Sequence, residues 1–201
     1  MRVRLLAFAV LLCALPARGD DAGDAAIAGA LMTLDEPPSV ADLSTTFSTA
    51  DQAISELSRV AGTAGLDLGL RIRAIRTLPA YCPQPAGSCG AGTPVHDTLT
   101  KLIGDLRALP QPAATDLMLL RAAVEALGAT GPVLQADVDL MLPLLSSTSR
   151  DVRATVVQAL RTACGTEATT ALKTLGVSES SMQVRFAIMS ALQTLEQCPP
   201  P

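Results

Sequence analysis

Tryptophan is absent from these 201 residues, and the chain holds one tyrosine, three phenylalanines and one histidine. A single histidine, His96, excludes a histidine-rich metal centre. So few aromatics, with no β-branched alternation between hairpin turns, exclude strands as the main element. Lysine is scarce too: Lys101 and Lys173 stand among 15 basic residues, against 19 acidic ones, for a net charge of −4. That balance lacks the Lys and Arg clusters that nucleic acid or anionic lipid requires, so neither is an expected partner. Beyond the first residues, no apolar run reaches the roughly 20 residues of a membrane-spanning helix.

The opening segment has its own grammar. Arg2 and Arg4 precede an unbroken apolar run from Leu5 to Ala17, and Ala17-Arg18-Gly19 precedes the acidic DDAGD. Basic, apolar and small-residue segments in that order are expected of a secretory signal peptide, residues 1–19, cleaved after Gly19. A retained anchor is the competing reading. Cleavage would leave 182 residues with 12 basic and 19 acidic side chains, a net charge of −7. Arginine over lysine, with abundant alanine, is the composition of GC-rich bacterial genomes, so the periplasm or the exterior is the expected location.

Removing Cys13 leaves Cys82, Cys89, Cys164 and Cys198. An even count in an exported chain points to disulfides, and four cysteines allow three pairings. The short separation of Cys82 from Cys89 favours a local bridge, with Cys164 left for Cys198. The chain-entropy model gives such loops about 2.5 and about 3.7 kcal/mol.

What the sequence does contain is a repeat. Leu78, Leu127, Leu160 and Leu192 each close an apolar helical stripe, the last three spaced by 33 and 32 residues. In the third unit the stripe is Val152, Val156, Ala159, Leu160 and Ala163; in the fourth, Val184, Ile188, Ala191, Leu192 and Leu195. Leu70, Ala74, Thr77, Leu78 and Tyr81 form the first, and Leu119, Ala123, Ala126, Leu127 and Thr130 the second. A first helix precedes each, as in Leu99-Leu102-Ile103-Leu106, Val138-Met141-Leu142-Leu145, Ala168-Ala171-Leu172-Leu175 and, more weakly, Ala50-Ala53-Ile54-Leu57. The longer first interval reads as an insertion at 82–97. Residues 20–50 read as an acidic start, a capping helix AAIAGALMTL and a proline-broken connector; repeats occupy 51–198, and 199–201 is a tail.

Val138 to Leu160 resembles a HEAT repeat: an apolar first-helix end around proline (Leu142-Pro143-Leu144-Leu145), a polar turn, then Val152-Arg153 running into Ala159-Leu160. Leu70-Arg71 and Val184-Arg185 repeat the apolar-arginine step, whereas the second unit has Leu119-Leu120 with Arg121 one place late. The resemblance covers about 51–198. It implies an all-α fold, a short α-solenoid of about four HEAT-like helix pairs with an N-terminal capping helix, used as a binding scaffold.

Candidate chemistry is thin. Ala86-Gly87-Ser88-Cys89-Gly90 lacks the first glycine, the strand and the base that a nucleophile elbow needs. Asp137 and Asp139 are two apart and diverge on a helix; Asp20, Asp21 and Asp24 read as a solvated terminus. Arg71, Arg153 and Arg185 occupy equivalent places and are expected to pair with acidic or backbone groups in adjacent turns. Arg73 and Arg76 are the expected solvent-facing arginines and the candidate binding surface. The expectation is a non-catalytic scaffold or adaptor for a protein or peptide, with no cofactor. Two alternatives stay open: a pigment-type small-ligand carrier or lyase with a free thiol, and a hydrolase using Ser88.

Overall fold

The computed structural model of the chain describes residues 21–32, 38–82 and 89–198. The expected signal segment, Asp20, Ser88 and the tail 199–201 lie outside the described residues, as do the side chains of Asp21 and Asp24. Within them are ten α-helices: α1 (Asp21–Leu31), α2 (Val40–Ser44), α3 (Ala50–Gly62), α4 (Leu68–Thr77), α5 (Pro94–Arg107), α6 (Ala114–Ala129), α7 (Gln135–Met141), α8 (Arg150–Leu160), α9 (Thr166–Ser178) and α10 (Met182–Leu195). Two 3-10 turns, Leu78–Tyr81 and Leu142–Ser146, extend α4 and α7, and no strand occurs among the described residues.

Local chemistry sets the helix ends. Side chains of Thr49, Asp67, Thr93 and Ser149 accept from the backbone N–H three residues on, filling an orphan donor at the starts of α3, α4, α5 and α8. Pro79 and Pro143 lack the N–H that an α-helix would use, so α4 and α7 tighten into 3-10 turns there. α5 starts at Pro94, a favoured first helical position. Of the stretch 82–97 read as an insertion, the last four residues are therefore helical.

The stripes meet in one buried cluster. α3 packs on α4, α5 on α6, the 3-10 turn after α7 on α8, and α9 on α10. Each second helix also packs on the next: α4 on α6, α6 on α8, α8 on α10. Leu57, Leu99, Met141 and Leu172 of the first helices, with Leu78, Leu127 and Leu160 of the second, are wholly buried. The first unit's stripe begins at Ala53, three residues later than its periodicity suggests, because Ala50 at the start of α3 is exposed. At the other end of the chain, α1 rests on α4 and buries Ile27 and Leu31.

Both disulfides form as the cysteine spacing favoured. Cys82–Cys89 (Cα–Cα 5.2 Å) is buried, and Cys164–Cys198 (5.5 Å) ties the linker before α9 to the end of α10. Cys164 is exposed. Graded reductant is expected to open Cys164–Cys198 first, with a loss of about 3 kcal/mol or less from the closed loop. Mass mapping of alkylated thiols checks the order.

The tightest helix contact is at Gly128 of α6, where a Cβ would fall 2.9 Å from Ala159 Cβ and 3.0 Å from Ala159 Cα on α8. Backbone cannot swing aside as a side chain tip can. Gly128→Ala is thus expected to destabilise by about 1–3 kcal/mol despite the better helix former. Gly104→Ala in α5, where nothing lies within 4 Å, is expected to stabilise by about 0.5–1 kcal/mol. Paired thermal melts give the two signs.

Candidate binding groove

Four consecutive second helices leave a trough along their outward sides, enclosing about 560 Å³. α4 contributes Arg76, and α6 contributes Arg121 and Glu125. Thr155 and Gln158 come from α8, and Gln183 and Phe186 from α10. One rim is thus ionic and the other carries amides beside an exposed aromatic ring. Arg76 Nη2 donates to Glu125 Oε2 at 2.8 Å, bridging α4 and α6. Arg121 lies 3.8 Å from Asp151 across α6 and α8, and its Nε is buried without an acceptor. Exposed ion pairs of this kind contribute little to stability, which leaves the groups available for exchange with a ligand.

A smaller trough of about 460 Å³ runs between α3 and α5, lined by Asp51, Ser55, Ser58, Asp97 and Lys101 among others. Its Ser58 hydroxyl accepts from Thr98 at 2.9 Å, and no base reaches it. Among the described residues no three His, Cys, Asp or Glu side chains converge as a metal site would require.

Of the two arginines read as solvent-facing, only Arg76 is so. Arg73 is half-buried under α1, with its Nη1 donating to the Leu31 carbonyl at 2.8 Å. The last carbonyls of a helix have no partner within it, and a guanidinium from the next layer meets one of them. The equivalent arginines behave as expected where a neighbouring turn exists. Arg71 Nε donates to Ala61 O at 3.1 Å, and Arg153 Nη1 donates to Ser147 O at 2.7 Å. Arg153 also grips Glu179 with two bonds, 2.7 and 2.8 Å. Arg185, the equivalent residue of α10, is exposed.

His96 lies on the first turn of α5, buried, with Nε2 at 2.9 Å from Asp137 Oδ1. Asp137 Oδ2 accepts from the Leu134 N–H at 3.1 Å, so one carboxylate caps α7 and holds α5 to it. The reading of Asp137 and Asp139 as divergent holds: Asp139 is exposed and accepts from Gln135. Sequence reasoning missed the His96–Asp137 pair, which spans 41 residues and has no local signature. The other ring nitrogen, Nδ1, has no hydrogen-bond partner and lies 3.5 Å from Asp97 Oδ1. Cys82, Cys89, Cys164 and Cys198 are all bridged, and none supplies the free thiol of a pigment carrier.

No family model matches the chain, no curated protein matches it, and no solved structure matches it.

The Arg153–Glu179 pair joins α8 to the turn before α10 and is the strongest electrostatic feature. The bidentate guanidinium, helped by the Ser181 N–H, holds the Glu179 carboxyl down at about 2, against the desolvation that burial imposes. A depressed carboxylate stabilises the fold fully above its ordinary range near 4.5 and loses that contribution as pH falls towards 2. Glu179→Gln is expected to flatten the pH dependence of stability between those values. Arg153→Ala leaves a buried, unpaired carboxylate and is expected to cost about 3 kcal/mol at neutral pH. Denaturant midpoints measured from pH 2 to 7 test both.

Proposed function

We propose that the chain is an exported, non-catalytic helical-repeat protein that binds another macromolecule, a protein, along its second helices. On this reading α3 to α10 form a short α-solenoid of four HEAT-like pairs, and α1 caps its first unit. The observation that carries it is the groove of about 560 Å³ whose lining draws on α4, α6, α8 and α10 together. A trough crossing several repeats suits an extended partner better than a small ligand, which favours an enclosed pocket.

Other features support the reading without adding chemistry. Buried polar groups are matched across units: His96 with Asp137, and Arg153 with Glu179. Two disulfides suit an oxidising compartment, in keeping with a signal peptide at 1–19. No helix of the described residues is long and apolar enough to cross a membrane.

A photo-crosslinking side chain at Gln158, in the groove, should capture a discrete protein from the envelope fraction. The same side chain at Lys101, in the trough between α3 and α5, should not. Capture from Lys101 alone, or from neither position, would sink the proposal.

A further inference from the structure

Counted from the closing leucine, each second helix has a stripe at ten, six and three residues before it and one after it. In α6 this stripe is Leu117, Arg121, Val124 and Gly128. Gly128 touches Ala159 of α8, which fixes the direction: the stripe faces the next second helix. Three residues before the closing leucine, Ile75 in α4, Val124 in α6 and Val157 in α8 are all wholly buried. Ala154, six before in α8, is buried as well.

The same stripe in α10 is Met182, Phe186, Met189 and Gln193. Among the described residues none covers it: Met182, Phe186 and Met189 are 60%, 61% and 62% exposed. A polar outer face would carry polar residues at these points. This one carries three large apolar side chains, although the places six and three before the closing leucine are buried in α8 as Ala154 and Val157. Contiguous exposed apolar side chains of this kind mark an interaction surface.

From this uncovered stripe we infer that its occupant is a second copy of this chain, α10 against α10 about a two-fold axis. Three observations favour a copy. The stripe has no charge, and α10 has no acidic residue at all, Arg185 being its one charged side chain. On a chain of net charge −4 it is thus a place where two copies can meet without carboxylate repulsion. The opposite end is closed, because α1 covers α4 and is pinned by Arg73 to the Leu31 carbonyl. Head-to-tail growth is thereby blocked, and the pairing is isologous and stops at two. Finally, methionine side chains adapt readily to one another, so a self-matched face needs no prior jigsaw fit.

The size of the contact sets its strength. α10 has 14 residues, about 21 Å of helix about 10 Å wide. A strip of about 210 Å² on each copy is well below the standard interface size, so the dimer should be weak and transient, with dissociation in the high micromolar range. Because the copies repel elsewhere, added salt should strengthen it.

Sedimentation velocity on the purified chain, from about 1 to about 300 µM, spans that range. The wild type should pass from monomer to dimer, at lower concentration when salt is raised, and should not grow further. Met189→Glu should remain monomeric with an unchanged thermal melt, since Met189 is exposed and does not line the groove. Met182→Ser, also outside the groove's lining, gives a second reading of the same stripe, and Leu109→Glu, elsewhere on the surface, should dimerise like the wild type. A wild type that stays monomeric throughout, that builds higher oligomers, or that dimerises equally with Met189→Glu overturns the inference. Met189→Glu leaves Gln158 crosslinking intact, so loss of the dimer and loss of the groove's partner are separate outcomes.

Discussion

Close approach of one second helix to the next is the contact on which the other features depend. At Gly128 and Ala159 the backbones of α6 and α8 come so near that only a hydrogen fits between Cα and Cβ. Small residues recur along the seam, with Ala122, Ala123, Ala126, Ala154, Ala159, Ala187 and Ala191 all buried. An amphipathic helix hairpin has too little apolar area to hide by itself, and neighbours supply the missing cover. The groove is the outer side of that same seam. Its depth follows from how near the helices lie, and its lining from whichever residues the seam leaves over.

Polar ties sit at the joints between these helices rather than in the middle of them. His96 with Asp137, Arg153 with Glu179, and Arg73 with Leu31 each connect one helix to a neighbour beyond its own hairpin. Burial makes such groups costly unless each finds a partner, so every tie restricts where the neighbour can sit. The sole histidine is used up in this way.

The described surfaces differ in character. Between α3 and α5 the trough mixes Ile54 and Pro94 with polar side chains, of which Thr98 donates to Ser58. Across α4 to α10 the groove offers ionic groups, amides and one exposed ring. On α10 the stripe of Met182, Phe186 and Met189 adjoins the groove, sharing Phe186 with it, and is apolar and uncharged. If the inferred pairing holds, two grooves would lie on one two-fold assembly and an extended partner could engage both, gaining avidity without any new contact.

Much of this was legible from residue order, because the facts concerned are local. A period of 3.6 shows which side of a helix is apolar, and a loop of six residues brings Cys82 and Cys89 within reach. The apolar stripes and the local bridge follow from such short-range rules, and Cys164–Cys198 was the pair left over. Arg73 could not be read that way: its partner is a helix end 42 residues earlier, and a side chain's exposure depends on what lies over it. His96 and Asp137 were hidden for the same reason, whereas the start of α5 at Thr93-Pro94 carries a local signal that the reading of 82–97 as an insertion passed over. The stripe on α10 is the sharpest instance. Its residues keep the repeat's spacing, so the sequence marks that face as one to be covered, while only the fold, by placing no helix there, decides that it is bare.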